Sequence, residues 1–470
     1  MSRADGNAAR IGAYIAGARN RQMPEAVIDA ARLCLADWLA VAVGARTEDA
    51  GRTVREVVAG WQADGHARVI FGGQTAAPFA ALANGTLAHC LDFDDTYIPA
   101  VTHTSAPVWA AVLALGQQSG ASEMEMLRAF VTGFEVAGRV GEGLGEGLTA
   151  RGLHSTGAFG RIGAAAACAA LLGLDAERAQ HAVAAAATQI SGLTLSFGTM
   201  AKPFHAGKAA MDGVLSAQLA ERGFTGAAAL LEPGGIDRAY IQDGSITMKS
   251  VDFGDWRILA NSFKPYAACH LVHPAVDAAR QMGVSPAQIA DARVRVSPLC
   301  MKVTGAADGA PSTPLAAKFD LRYCIALGFH GHTVSAGDFR DPWTADTGAV
   351  DTARHISAEA GADVGIAAAR LEVRTRDGRS LVTDIPVAKG HPGNPMRWDD
   401  MGSKMSGLVA AELGERTGDL LAAAQSFGDD TALPRIMTLI DALDAVPGGA
   451  AQPGGAAQPG GARMVHATRH

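Results

Sequence analysis

Four short polar clusters interrupt the apolar, alanine-rich runs of this chain, and their residue types are those of acid/base and anion-binding chemistry. The first is Asp92-Phe93-Asp94-Asp95-Thr96, with Thr102 and His103 a few residues on. Three carboxylates packed so closely repel one another. At least one must bind a cation, accept hydrogen bonds or hold a raised pKa suited to proton transfer. A solvated helix end carrying N-caps is the plainer reading, and His103 weighs against it. The second cluster, Arg151-Gly152-Leu153-His154-Ser155-Thr156-Gly157, runs from a glycine-rich stretch into an alanine-rich helix, where backbone N–H groups can hold a carboxylate beside His154. Its glycines lack the dinucleotide-binding spacing.

The third cluster is Met200-Ala201-Lys202-Pro203-Phe204-His205-Ala206-Gly207-Lys208. It is no phosphate loop, because Ala209 stands where Ser or Thr would hold magnesium. In such apolar surroundings Lys202 can pair with an anionic substrate or donate a proton. The fourth is Lys264-Pro265-Tyr266-Ala267-Ala268-Cys269-His270-Leu271-Val272-His273. Cys269, His270 and His273 have no partner motif that would complete a metal set, so the reading is a cleft-lining segment without a metal.

The elements that must position these clusters follow from periodicity. Helical spacing from Pro24 to Val43 puts Val27, Ala31, Leu35 and Trp38 on one face. Ser122 and Glu125 form a capping-box pattern ahead of Met126, Phe130 and Phe134. Further helices are predicted over 106–118, 160–172, 175–190 and 207–222. After residue 263 the pattern changes: Val294 and Val296 alternate with arginines, and Leu371 to Val382 brackets Asp377-Gly378 as a hairpin. The fold class is therefore mainly α, with a helical domain over 1–262, an α/β lid over 263–396, a helical return segment over 397–446, and a Gly/Pro-rich tail over 447–470 that reads as disordered.

Composition narrows the partners. The net charge of -7 is spread without basic runs, which argues against nucleic acid. The six scattered cysteines suggest buried thiols in a reducing compartment, and no apolar run is long enough for a membrane span, so a cytoplasmic location is expected.

Read in order, LDFDDT with a later TH, GLHSTG, MAKPFHAGKAA, KPYAACHLVHPAVDA and AKFDLRYCIA resemble the successive motifs of the MmgE/PrpD family, from about residue 10 to residue 440. The resemblance implies a homodimer with a helical domain built from both chain ends, an inserted lid, and a site between them that needs no cofactor. It also implies a lyase or epimerase acting on a small polycarboxylate: 2-methylcitrate dehydratase, cis-aconitate decarboxylase or iminodisuccinate epimerase. Motif by motif, Asp92, Thr96, His103, His154 and Lys202 fall at family site positions, and Tyr323 at a lid-side aromatic one. On this reading His103 and His154 are acid/base partners, Lys202 an anchor or proton donor, and Asp92 the group that tunes a histidine, with Met200, Cys269, His270 and His273 lining the substrate.

Two positions depart from the pattern. Cys269 stands where decarboxylase-like members carry histidine, which favours dehydration of a 2-methylcitrate-like substrate over decarboxylation or epimerisation. Asp320 and Arg322 replace a common Ser and Pro, pointing to a different lid-side specificity. A magnesium-dependent isoprenoid enzyme is the rival suggested by DFDDT. It is opposed by the absence of a second acidic motif, by aromatics at 6% and by the strands of the C-terminal half.

Overall fold

The computed structural model describes residues 6–306, 309–339 and 347–444. The expected disordered tail, 447–470, lies outside them. The fold is mainly α with a small α/β part.

Ten helices precede residue 222: α1 (Asn7–Ala16), α2 (Glu25–Gly44), α3 (Asp49–Gly60), α4 (Ala77–Leu87), α5 (Ser105–Ser119), α6 (Glu123–Gly141), α7 (Gly145–Ala150), α8 (Ser155–Leu171), α9 (Ala176–Ala187) and α10 (Ala201–Glu221). A short antiparallel ribbon of β1 (Ala67–Arg68) and β2 (Gln74–Thr75) interrupts a region that the sequence reads as nearly all helix. Small side chains set the packing. α10 lies against α4 and α8, and α8 against α6. A Cβ at Gly207 would collide with Thr86 Oγ1 and the Leu82 carbonyl, so only glycine permits this approach of α10 to α4. α10 begins at Ala201, six residues earlier than its spacing predicts, which brings Lys202 into its first turn.

The larger sheet has the order β4 (Ile356–Ala360), β3 (Ile289–Val296), β5 (Ala369–Thr375), β6 (Ser380–Ile385). The β5–β6 pair is the antiparallel hairpin expected around Asp377-Gly378, and β4 adds to β3 in parallel at the edge. Helix His273–Met282 covers β5 and β6, and helix Leu321–Phe329 packs on that helix in turn. Helix Trp398–Leu413 then packs on α2, with Trp398 Nε1 donating to Asp29 Oδ1 at 2.8 Å and Arg46 paired to Glu412 at 3.0 Å. The C-terminal helices thus rest on the first ones. No helix among the described residues is long and apolar enough to cross a membrane.

Candidate active site

The LDFDDT segment forms a turn between α4 and α5, and Asp92, its second residue, adopts φ +52°. A left-handed backbone at a non-glycine residue costs about 1–3 kcal/mol and persists only where its surroundings hold it. Here three successive carbonyls each accept a lysine ammonium from a distant part of the chain. Leu91 O accepts from Lys318 at 2.9 Å, Asp92 O from Lys264 at 2.7 Å, and Phe93 O from Lys404 at 2.6 Å.

The three carboxylates of the turn each take a different one of the outcomes that mutual repulsion allows. Asp92 binds lysines: its Oδ1 lies 2.6 Å from Lys202 Nζ and 3.4 Å from Lys264 Nζ, with His103 Nε2 3.8 Å away. Burial alone pushes its carboxyl up, but Lys202, Lys264 and His103 outweigh burial and hold it well below the carboxylate range. Asp94 accepts from imidazole. Its Oδ2 takes His89 Nδ1 at 2.7 Å and lies 3.2 Å from His103 Nδ1, which is out of hydrogen-bonding alignment. Asp95 faces the other way, onto Asn261 Nδ2 at 2.6 Å and the Ser105 hydroxyl. Burial, with the charges of Asp37 and Asp94, pushes it up to about 7.

His89 and His154 are held neutral. Burial, followed by the charge of Lys202 and opposed by Asp94, brings His89 down to about 4. His154, the N-cap residue of α8, is driven well below its ordinary value by burial and then by His89, Lys202, His103 and His205. Its backbone N–H donates to Gly192 O at 2.9 Å, its ring stacks 5.7 Å from His89, and Phe197 stands edge-on at 4.9 Å. Lys202 Nζ lies 5.4 Å from the centre of the same Phe197 ring, so α8, whose N-cap makes no side-chain hydrogen bond, and α10, whose first N–H donates to Thr199 Oγ1 at 3.2 Å, both begin beside the cluster.

The structure therefore gathers Asp92, His103, His154 and Lys202. Thr96 joins through its backbone, pairing with Ser262, while its buried Oγ1 has no partner among the described residues. His270 borders the group, since His103 and Lys264 add to burial in lowering its pKa. Cys269 is buried with its thiol pushed up to about 11 by burial. His273 is fully buried behind His270, with Nε2 3.2 Å from Ala268 O. Met200 is 55% exposed, and Tyr323 is buried with its ring against Phe339. Asp320 caps helix Leu321–Phe329 and Arg322 binds the Ile356 and Gly305 carbonyls, so both departures from the family pattern serve local structure.

Sequence reading placed Asp94, His205 and Lys264 inside its polar clusters without giving them a role, and it missed His89, Lys318 and Lys404 altogether. The one signal these three share is a single cation or imidazole standing outside the four clusters. His89, Asp94 and His103 also bring donor atoms within 4.8 Å of one another, as a metal site would. The 2.7 Å between His89 and Asp94 is a hydrogen-bond length, whereas two ligands on one zinc-like ion sit about 3.3 Å apart, given bonds of about 2.0 Å. The arrangement fits a shared proton better than an ion.

Residues 9–248 match the MmgE/PrpD N-terminal domain and residues 266–426 the MmgE/PrpD C-terminal domain; the chain belongs to the MmgE/PrpD family. Among curated proteins it is similar to the cis-aconitate decarboxylase of Mus musculus, 32% identical over 219 residues (44% of this chain, 45% of the relative). It is also similar to that of Aspergillus terreus, 30% over 274 residues (54% and 56%), and to that of Homo sapiens, 31% over 209 residues (43% of each). The matches span about half the length of these relatives.

Proposed function

We propose that this protein is a lyase that breaks a bond beside a carboxylate of a small polycarboxylate, with decarboxylation of cis-aconitate as its reaction. The observation that carries the reading is the placement of Lys202 and Lys264 around one ionised carboxylate, Asp92, in front of neutral His89 and His154. A polyanionic substrate would meet two lysines and the N-terminus of α8, which together supply positive potential for its carboxylates. In decarboxylation the bond to the departing carboxylate breaks, carbon dioxide leaves, and the electron pair stays on the skeleton, delocalised over the double bond and the neighbouring carboxylate. A proton from Lys202 or a histidine then quenches the carbanion.

The names of the relatives favour cis-aconitate. The argument from Cys269 against decarboxylation loses force, because its neighbour His270 supplies an imidazole at that border of the site. A second reading, dehydration of a 2-methylcitrate-like substrate, draws support from the neutral imidazoles, which are poised to act as bases. Incubation in heavy water with cis-aconitate, 2-methylcitrate and iminodisuccinate separates the readings. Carbon dioxide release with one deuterium in the product supports decarboxylation. Loss of water from 2-methylcitrate alone moves the assignment to dehydratase, and deuterated substrate of inverted configuration to epimerase. Turnover unaffected by exhaustive chelation is expected; loss of turnover restored by a divalent ion would reopen the His89/Asp94/His103 group as a metal site.

A further inference from the structure

His154 does not stand alone at the start of α8: its Nδ1 lies 3.1 Å from Nδ1 of His205, on the first turns of α10. His154 is buried, whereas His205 is only half-buried. Neither Nε2 takes a hydrogen bond among the described residues. Gly192 fixes the relation between the rings. Its carbonyl receives the His154 backbone N–H, and a Cβ at this position, where φ is +109°, would sit 3.1 Å from Cγ and Nδ1 of His205. Arg161 clamps the same loop, donating to Ser191 Oγ at 3.1 Å, to Gly157 O at 3.0 Å and to Asp212 Oδ2 at 2.8 Å.

We propose that His205 is a positioning residue that decides which nitrogen of His154 carries its proton and conducts that proton to solvent. The inference rests on His154 acting as an acid/base group in the lyase proposed above. Two neutral imidazoles facing each other through Nδ1 at this distance share one proton, so one ring donates and the other accepts. When His154 donates, its Nε2 is a bare lone pair and a base. When His205 donates, His154 carries its proton on Nε2 and is an acid.

The pair can therefore change His154 from one role to the other without turning the ring. As His154 Nε2 takes a proton from a substrate carbon, the C–H electron pair remains on carbon. The His154 Nδ1 proton crosses to His205 Nδ1, and the His205 Nε2 proton leaves to water. Delivery of a proton to a carbanion runs along the same path in reverse, with water supplying His205 Nε2.

The test uses the full-length protein with ¹⁵N-labelled histidine, His154 signals being assigned by their loss in His154→Gln. In His205→Phe the His154 nitrogens should change between pyrrole-like and pyridine-like shifts. With cis-aconitate, kcat should fall about tenfold or more while KM stays within about twofold, the behaviour of a lost proton-transfer aid rather than lost binding. His205→Asn, which keeps a polar partner, should recover part of kcat; it also serves if phenylalanine is not accommodated beside Gly192. A folded His205→Phe or His205→Asn protein with unchanged His154 nitrogen signals and unchanged kcat overturns the proposal. If the wild-type protein turns over none of the family substrates, the proposed function fails, and the nitrogen signals still decide the histidine pair.

Discussion

Two lysine–aspartate pairs grip the LDFDDT turn from opposite sides. In front, Lys202 meets Asp92 at 2.6 Å with both side chains about 15% exposed. Behind, Lys404 meets Asp37 at 2.5 Å with each at 1%. Burial is the first influence on both carboxyls, yet they move in opposite directions: Asp37 is raised and Asp92 lowered. The difference lies in the number of lysines. Asp92 has Lys202 and Lys264, whereas Asp37 has Lys404 alone and feels the charge of Asp94. A carboxylate with more cations than it needs can share one with an incoming anion. A pair sealed from water can share nothing, and its work is to fix the Phe93 carbonyl that Lys404 also binds.

The two pairs should therefore fail differently. Lys202→Ala is expected to lower turnover about 10²- to 10⁴-fold while leaving the denaturant midpoint nearly unchanged. An active Lys202→Ala protein, or one that unfolds, would erase the distinction. Lys404→Met should cost about 3–5 kcal/mol of stability, because Asp37 and the Phe93 carbonyl both lose their partner. Urea unfolding of this variant, followed by circular dichroism, gives the cost directly. A loss below about 1 kcal/mol would show that Asp37 is already neutral in the native protein, as its raised pKa and the lowered one of Lys404 both allow.

The front of the turn was legible in the sequence and the back was not. Asp92, His103, His154 and Lys202 stand in dense polar clusters beside glycine or proline, and repulsion among three adjacent carboxylates already demanded unusual surroundings. Lys404 lies 311 residues from the carbonyl it binds, in a helix whose spacing says only that it packs. No local pattern encodes such a contact. The same holds for Lys318, 227 residues from Leu91 O. Regular elements follow the same rule. The β5–β6 hairpin was readable because Asp377-Gly378 and alternation both act locally. β4 was not, because its alternation of Ile356, Ala358 and Ala360 with Ser357 and Glu359 offers little apolar surface, only Ile356 being buried in this parallel edge strand.

A smaller effect separates the neutral histidines from the charged turn. Burial brings His273 down to about 3, so between pH 6.5 and 3 the unfolded chain binds a proton there that the native protein refuses. Native stability is thus lost as pH falls, by about 1.4 kcal/mol per unit from this residue. His273→Asn removes the penalty. Whatever the substitution costs at pH 7, the gap to wild type should narrow by about 2 kcal/mol between pH 6.5 and pH 5. A constant gap would mean that His273 titrates in the native state as it does unfolded.

The smallest effect belongs to a contact that sequence alone identified. Ser122 Oγ accepts from the Glu125 N–H at 3.3 Å, and the Glu125 carboxylate accepts from the Ser122 N–H at 2.9 Å, which closes the capping box of α6. The neighbouring Glu123 is buried and accepts from the backbone N–H groups of Gly428, Asp430 and Leu433, tying the C-terminal helices to the same helix end. Ser122→Ala removes one local acceptor and leaves those long-range bonds in place. It should cost about 1 kcal/mol, visible as a shift of a few degrees in Tm, with kcat and KM unchanged. A much larger loss would mean that the cap also aligns Glu123, so that a feature legible over four residues governs a junction spanning 300. That outcome would remove the contrast between local contacts, which the sequence spells out, and distant ones, which it does not.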